Sequence, residues 1–138
     1  MFMQTINATE VRKEFSQFID TVVREKPVVI KRNRDHVLSI SLEQTINLLT
    51  YYRFNMNIFD EEDGSITATL NELDLIINTM DKDNLKNLMA QEILDYAEDY
   101  FEQFNLYYNS PNRQKHFPYV LKAILANNIK DVAGFIDA

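Results

Sequence analysis

The apolar residues in the first half of the chain follow two periods, one typical of a helix and one typical of strands. A short strand is expected at 3–6, and Asn7, with Glu10 three residues later, has the spacing of a helix cap. The apolar residues that follow recur mostly at intervals of three and four, which predicts a helix with one buried stripe. The stripe consists of Val11, Phe15, Phe18, Ile19, Val22 and Val23.

Two apolar runs after Pro27 predict a hairpin, with strands at 28–30 and 37–41 and a polar turn at 33–35. Ser41 and Gln44 have the spacing of a second helix cap. Because so small a hairpin is apolar on both faces, we expect one face to pack against a second copy of the chain. That face is expected to carry Val28, Ile30, Leu38 and Ile40. The alternative is that the second half of the same chain covers it.

The second half of the chain begins with alternating apolar residues, which predict another hairpin across an acidic turn at 60–64. A third strand is expected at 75–77, followed by a helical pattern from 81 to 104. Shorter helices are expected before Leu125 and at 130–136. The fold class is therefore α+β, with domains at 1–52 and 53–138.

An aromatic group follows helical spacing late in this second domain and is expected to lie mostly in its core. Its members are Tyr96, Tyr100, Phe101, Phe104, Tyr107 and Tyr108. Because Tyr107 and Tyr108 are adjacent, they cannot both point inward from one helix face. We expect one of the two to contact a partner protein.

The composition fits a globular protein, since 46% of the 138 residues are hydrophobic and 12% are aromatic. The absence of cysteine excludes disulfides and cysteine-based metal sites. No apolar run is long enough to span a membrane and no secretory signal precedes the first strand, so a cytoplasmic location is expected.

Charge is distributed unevenly, although the whole chain has a formal net charge of −7. Residues 1–50 hold seven basic and six acidic side chains, whereas residues 51–138 hold seven and fifteen. This asymmetry indicates two surfaces with different partners, the acidic one suited to a basic protein. A generic acidic surface exposed to solvent is the alternative.

Three segments within residues of about 4–50, in this order and at their spacing along the chain, resemble segments of the Phd/YefM antitoxin family. They are Ile6-Asn7-Ala8-Thr9-Glu10-Val11-Arg12-Lys13-Glu14-Phe15, Lys26-Pro27-Val28-Val29-Ile30-Lys31-Arg32, and Val37-Leu38-Ser39-Ile40-Ser41-Leu42-Glu43. The rest of the chain departs from that family, whose members end in a short tail that orders on the toxin. Its hairpin, strand and long helix are similar in outline to the folded domain of HicB-type antitoxins.

The resemblance implies a dimer that binds its own operator, represses its own transcription and neutralises a toxin, commonly an mRNA-cleaving ribonuclease. Arg12 and Arg32 match the operator contacts of the family, and the candidate DNA-binding set is Arg12, Lys13, Lys31, Arg32 and Arg34. Arginine can read guanine through two hydrogen bonds, and lysine neutralises phosphate. Without the resemblance, an ordinary charged surface is the better interpretation. The toxin-binding residues stay unassigned.

Two other functions remain open at this point. One is a stand-alone transcriptional regulator without a toxin, whose second domain senses a ligand or only oligomerises. The other is an enzyme built on the second domain, but no Gly-rich phosphate loop or nucleophile–histidine–acid pattern supports it. The turn at Asp60–Gly64 lacks calcium-loop spacing, and we expect surface or structural roles for His36 and His116. No cofactor or metal is predicted.

Overall fold

The computed structural model describes every residue from Met1 to Ala138, and the α+β chain forms two compact units. The N-terminal unit is Met1–Leu48 and the C-terminal unit is Leu49–Ala138. The division falls after Leu48 rather than after the predicted residue 52. The intervening residues contact the C-terminal unit: the Nζ of Lys122 donates to the carbonyl of Thr50 at 3.1 Å, and the rings of Tyr52 and Tyr119 lie 5.3 Å apart.

The N-terminal unit has a three-stranded sheet in the order β1-β2-β3, with β1 parallel and β3 antiparallel to β2. Its elements are β1 (Thr5–Asn7), α1 (Ala8–Lys13), α2 (Phe15–Arg24), β2 (Val28–Arg32), β3 (Asp35–Ser39) and α3 (Leu42–Leu48). The strand, helix, hairpin and helix therefore occur in the predicted order.

The first helix differs from its prediction at both its cap and its middle. Asn7 occupies the cap position, but its side chain makes no cap hydrogen bond. The Oε1 of Glu10 instead lies 3.9 Å from the Nζ of Lys13. The helix is interrupted at Glu14, whose φ of −126° and ψ of 51° are not helical. By contrast, the predicted cap of α3 is present, since the Oγ of Ser41 accepts from the backbone N–H of Gln44 at 3.1 Å.

The predicted apolar stripe divides into two groups within the N-terminal unit. Val11 and Val22 are buried and Phe18 is half-buried, whereas the other three, Phe15, Ile19 and Val23, are 59%, 42% and 51% exposed. The exposed residues are four apart and form a continuous row along α2. The prediction that all six residues share one buried stripe is therefore wrong.

The register of the hairpin corrects the predicted common face of Val28, Ile30, Leu38 and Ile40. Ile30 pairs with Val37, and Val28 pairs with Ser39, so Val28 and Ile30 lie on the opposite face from Leu38. A three-residue turn at 33–35 would have paired Ile30 with Leu38. The actual connection has two residues, and a shift of one residue turns a strand's side chains to the other face.

The C-terminal unit packs its helices against a four-stranded sheet in the order β6-β5-β4-β7, in which β7 is parallel to β4. The elements are β4 (Phe54–Asp60), β5 (Ile66–Leu70), β6 (Leu75–Thr79), α4 (Leu85–Glu102), α5 (Phe104–Tyr108), α6 (Phe117–Ile124), α7 (Ile129–Gly134) and β7 (Ile136–Asp137). The predicted hairpin, third strand and long helix are present, although the helix is interrupted at Gln103. The last predicted helix ends at Gly134, and the chain then forms the unpredicted β7.

Opposed residues along the sheet separate an inward apolar face from an outward face. Met56 opposes Leu70, and Ala68 opposes Ile77, all on the inward face. This face and the buried residues of α4, such as Ile93, belong to one core. The helices therefore supply the cover of the inward face.

The C-terminus is attached to the sheet by Arg53. Its Nε and Nη2 atoms donate to the Asp137 carboxylate at 2.8 and 2.9 Å, and its Nη2 also donates to the Gly134 carbonyl. The pair raises the pKa of Arg53 and lowers the pKa of Asp137. A two-residue strand has no measurable alternation, so the periodicity of the sequence did not reveal β7.

The aromatic group lies in and around the core, as predicted, but both adjacent tyrosines pack within the unit. Tyr107 lies 5.3 Å from the ring of Tyr100, and Tyr108 stacks on Phe104 at 5.3 Å. The interruption at Gln103 starts the separate helix α5, from which both side chains reach other rings. The expectation that one of them points away to a partner rested on a single continuous helix and is not supported.

His116 is buried beside Tyr96 and Asp74, which agrees with its predicted structural role. The Tyr96 hydroxyl and the Nδ1 of His116 are 2.7 Å apart, and the Nε2 of His116 lies 3.3 Å from the Oδ2 of Asp74. Burial lowers the pKa of His116 below its ordinary 6.5, partly opposed by Asp74.

In the acidic turn, the Asp63 carboxylate accepts from both the backbone N–H and the hydroxyl of Ser65. No helix is both long enough and apolar enough to cross a membrane.

We expect the free energy of unfolding to fall as the pH is lowered from about 7.5 to about 5.5. The unfolded chain binds a proton at His116 more readily than the folded chain, so stability is full above the unfolded pKa and is lost as the pH falls through it. Urea titrations at several pH values measure the slope, and His116→Gln should flatten it. Equal slopes in both proteins would contradict the prediction, and the variant of the exposed His36, His36→Gln, is the matched control.

Candidate nucleic-acid interface

Three of the five candidate basic residues lie at the tip of the β2–β3 hairpin. Lys31 and Arg32 end β2, and Arg34 lies in the two-residue connection to β3. Asn33 precedes it with a φ of 55°, a left-handed conformation that asparagine tolerates better than most residues. All three basic side chains are exposed, so the tight turn places a compact group of positive charges in solvent.

The hairpin register directs the charges of this tip to both sides of the sheet. Lys31 pairs with His36, and Arg32 pairs with Asp35. Since neighbours along a strand alternate between faces, Lys31 and Arg32 point to opposite sides. The Nη2 of Arg32 lies 3.4 Å from the Oδ2 of Asp35, with both side chains at least 70% exposed. An exposed pair of this kind contributes little, so the guanidinium can exchange partners readily.

The other two candidates, Arg12 and Lys13, are in the last turn of α1 rather than at its start. Positive side chains in the last turn interact favourably with the negative end of the helix dipole, and they therefore stabilise the helix. Because α1 has only six residues, both side chains lie away from the free N–H groups of its first turn. Both side chains are exposed.

The structure thus places the five basic residues in two exposed groups, one on the last turn of α1 and one at the hairpin tip. The two groups are connected through neighbouring strands, because Asn7, at the end of β1 and directly before α1, pairs with Lys31 on β2. Exposed lysine and arginine side chains can neutralise phosphate, and an arginine guanidinium can also pair with a base edge.

The N-terminal unit also exposes more apolar surface than its sequence predicts. Besides the row on α2, Leu38 is 55% exposed, and α3 presents Leu42, Ile46 and Leu48 at 59%, 50% and 65%. Val28, by contrast, is only 5% exposed. Sequence reasoning missed this surface because periodicity shows that a helix has an apolar face but not what covers that face.

Comparison with known proteins identifies a class, the antitoxins of toxin–antitoxin systems. The chain matches, over residues 1–138, the family described as "Antitoxin of toxin-antitoxin, RelE / RelB, TA system", and it belongs to this family. The match includes both units, so the folded C-terminal unit is part of the family pattern.

A solved structure agrees with this family. It is the antitoxin part of a proposed toxin/antitoxin system from Syntrophomonas wolfei subsp. wolfei, which is 44% identical to the chain. The alignment covers 99% of this chain and 98% of that chain, with a TM-score of 0.90. Comparison with curated protein sequences gives no match.

Proposed function

We propose that the chain is a type II antitoxin that acts in the cytoplasm as a homodimer. It binds its own operator through the N-terminal unit, represses its own transcription and neutralises a cognate toxin through the C-terminal unit. The antitoxin family match over the whole chain carries the proposal. The resemblance to Phd/YefM antitoxins over residues of about 4–50 supports the division of labour between the units. The protein is a regulatory binder rather than an enzyme.

The operator-binding part of the proposal rests on the exposed basic groups of the N-terminal unit. In a dimer, two hairpin tips and two α1 ends would be related by a two-fold axis, as are the half-sites of a palindromic operator. Arg12, Lys13, Lys31, Arg32 and Arg34 would then contribute ten positive charges to one duplex, and each phosphate contact releases counterions.

The dimer part of the proposal rests on the exposed apolar surface of the same unit. Leu38 is exposed and belongs to the predicted interface, whereas the predicted residue Val28 is already buried within one unit. The row on α2 and the apolar residues of α3 extend the surface available to a second copy. A symmetric contact on such a surface removes apolar area from water, which is the main driving force of association.

Introducing a charge at Leu38 should separate the dimer. We expect Leu38→Glu to sediment as a monomer of 16.3 kDa at concentrations where the unmodified chain is a dimer, because burying an unpaired carboxylate is costly. Sedimentation velocity over a range of concentrations measures the shift. Leu106→Glu, which changes a similarly exposed leucine of the C-terminal unit, should have no effect. An unchanged dimer in Leu38→Glu would exclude this face of the hairpin from the interface.

The whole proposal is tested with two ligands, the gene's own promoter fragment and the protein encoded by the adjoining reading frame. Fluorescence anisotropy should show tighter binding to the promoter than to unrelated DNA of equal length, and the co-expressed product should form a stable complex. The toxin is expected to be basic because the C-terminal half of the chain is acidic, and to be a ribonuclease because the resemblance to Phd/YefM antitoxins implies one. Promoter binding without such a partner would instead favour a stand-alone regulator, and failure of both would refute the proposal.

A further inference from the structure

The sheet of the C-terminal unit has an outward face that its helices do not cover. Side chains on β4, β5 and β6 alternate, and the inward residues Met56, Ala68 and Leu70 belong to the core. On the outward face Phe59 is 52% exposed and Ile76 is 66% exposed. The seven outward positions across the three strands are Asn55, Asn57, Phe59, Thr67, Thr69, Ile76 and Asn78.

None of these seven residues carries a charge, although the chain has 35 charged residues of the Lys, Arg, Asp and Glu types among its 138. The face combines amides and hydroxyls with an aromatic ring and an aliphatic side chain. Depletion of charge and enrichment in aromatic residues are features of the central part of protein–protein interfaces. Part of the polar set is already arranged, since the Nδ2 of Asn78 donates to the hydroxyls of Thr67 and Ser65 at 3.0 Å. Because the Asn78 amide is already held in place, little further side-chain entropy is lost there when a partner binds.

Acidic turns border this uncharged face at both ends. The β4–β5 turn holds Glu61 and Glu62, both exposed, and the β5–β6 turn holds Glu72 and Asp74. The basic side chains closest to this face already have acidic partners, since Lys82 lies 3.7 Å from Asp60 and Arg53 donates to Asp137 at 2.8 Å. A second copy of the chain would bring its own acidic turns towards these, which disfavours pairing of two such faces. A basic protein would meet charges of the opposite sign at both ends.

We propose that the outward face of the C-terminal sheet, between its two acidic turns, is the docking surface for the basic toxin. This inference rests on the proposed antitoxin function and assigns a surface to it. Phe59 and Ile76 would be the apolar anchors, and the two turns would steer the toxin during the encounter.

The test uses the full-length antitoxin and, as the probe, the purified product of the adjoining reading frame. Interferometry would compare the unmodified chain with the double variant Phe59→Ala/Ile76→Ala, which should bind at least about 30-fold more weakly. The matched control is Tyr51→Ala/Leu106→Ala, which removes an exposed aromatic and an exposed aliphatic side chain outside this face, at 93% and 63% exposure. It should bind like the unmodified chain.

A charge-reversal variant tests the turns separately. Glu61→Lys/Glu62→Lys should lower the association rate about tenfold at low salt and much less at high salt, with a smaller change in the dissociation rate. If the alanine double variant unfolds in thermal melts, Thr67→Arg replaces it, because one positive charge in the middle of the face would repel a basic partner while the apolar residues remain.

Each outcome separates this inference from the proposed function. Toxin binding that is normal in Phe59→Ala/Ile76→Ala and Thr67→Arg would overturn the assigned surface but leave the antitoxin function standing. A change in self-association without a change in toxin affinity would make the face a contact between copies and would also overturn it. If the unmodified chain does not bind the probe, the toxin-neutralising function fails and the inference falls with it.

Discussion

Replacing both Arg12 and Arg32 by alanine should weaken operator binding by roughly 100-fold or more, because a dimer loses four guanidinium groups at once. Each well-placed arginine contributes about 1–3 kcal/mol when it contacts a base edge, and phosphate contacts add to this. The slope of log affinity against log salt concentration should also become shallower, since fewer counterions are released. Fluorescence anisotropy on the promoter fragment at several salt concentrations measures both quantities.

The structure offers a close control for this double variant. Arg24 lies in the same unit and pairs with Asp20 at 2.6 Å, but it is outside the candidate set. Arg24→Ala removes the same kind of charge and should leave operator affinity nearly unchanged. Thermal melts should be similar for all variants, because exposed ion pairs such as Arg32 with Asp35 contribute at most about 1 kcal/mol. Normal operator affinity in a well-folded double variant would refute the assignment.

A further variant separates base reading from charge neutralisation at the hairpin tip. Arg32→Lys keeps the positive charge but loses the planar fork that pairs with guanine. If Arg32 reads a base, this variant should lose discrimination between the operator and unrelated DNA while keeping most of its salt dependence. If Arg32 contacts only phosphate, both properties should change little.

Local chemistry determined most of the elements that the sequence predicted. The alternation of Met56 and Ile58 and the cap formed by Ser41 with Gln44 depend on neighbours within a few residues, and both are present. The interruptions at Glu14 and Gln103 were not predicted because apolar spacing continues through them. Neither residue is a glycine or proline, yet the backbone of each leaves the helical region, with φ of −126° and −121°.

The exposure of the candidate DNA-binding residues could be predicted from the sequence, but the arrangement of the surface around them could not. The exposure of Arg12 and Arg32 follows from their positions outside apolar patterns. The face of the sheet on which each hairpin side chain lies could not be predicted in this way, because it depends on whether the turn has two residues or three. The outward row on α2, such as Ile19, was likewise indistinguishable from buried positions, since a helix pattern does not state which of its apolar residues another element covers.

Truncating Tyr100 should produce the largest loss of stability, because its side chain is fully buried at the centre of the C-terminal unit. We expect Tyr100→Ala to lower the free energy of unfolding by about 3–5 kcal/mol through lost burial and the resulting cavity. The ring lies within about 6 Å of the rings of Tyr96, Phe104 and Tyr107, so its removal takes one aromatic contact from each of these three side chains. Urea denaturation followed by circular dichroism measures the loss.

The hydroxyl of Tyr100 should contribute less to the free energy of unfolding than its ring does. It donates to the carbonyl of Arg113 at 2.8 Å, and burial raises the pKa of the phenol, so the proton remains available for this bond. Tyr100→Phe keeps the ring contacts but removes one of the two hydrogen bonds to that carbonyl, which still accepts from the backbone N–H of His116 at 3.1 Å. We therefore expect a loss of about 0.5–1.5 kcal/mol. Tyr51→Ala, at a tyrosine that is 93% exposed, should change stability by less than about 0.5 kcal/mol. Equal losses in Tyr100→Phe and Tyr100→Ala would mean that the hydrogen bond to the 109–116 segment, and not the packing of the ring, holds this part of the unit together.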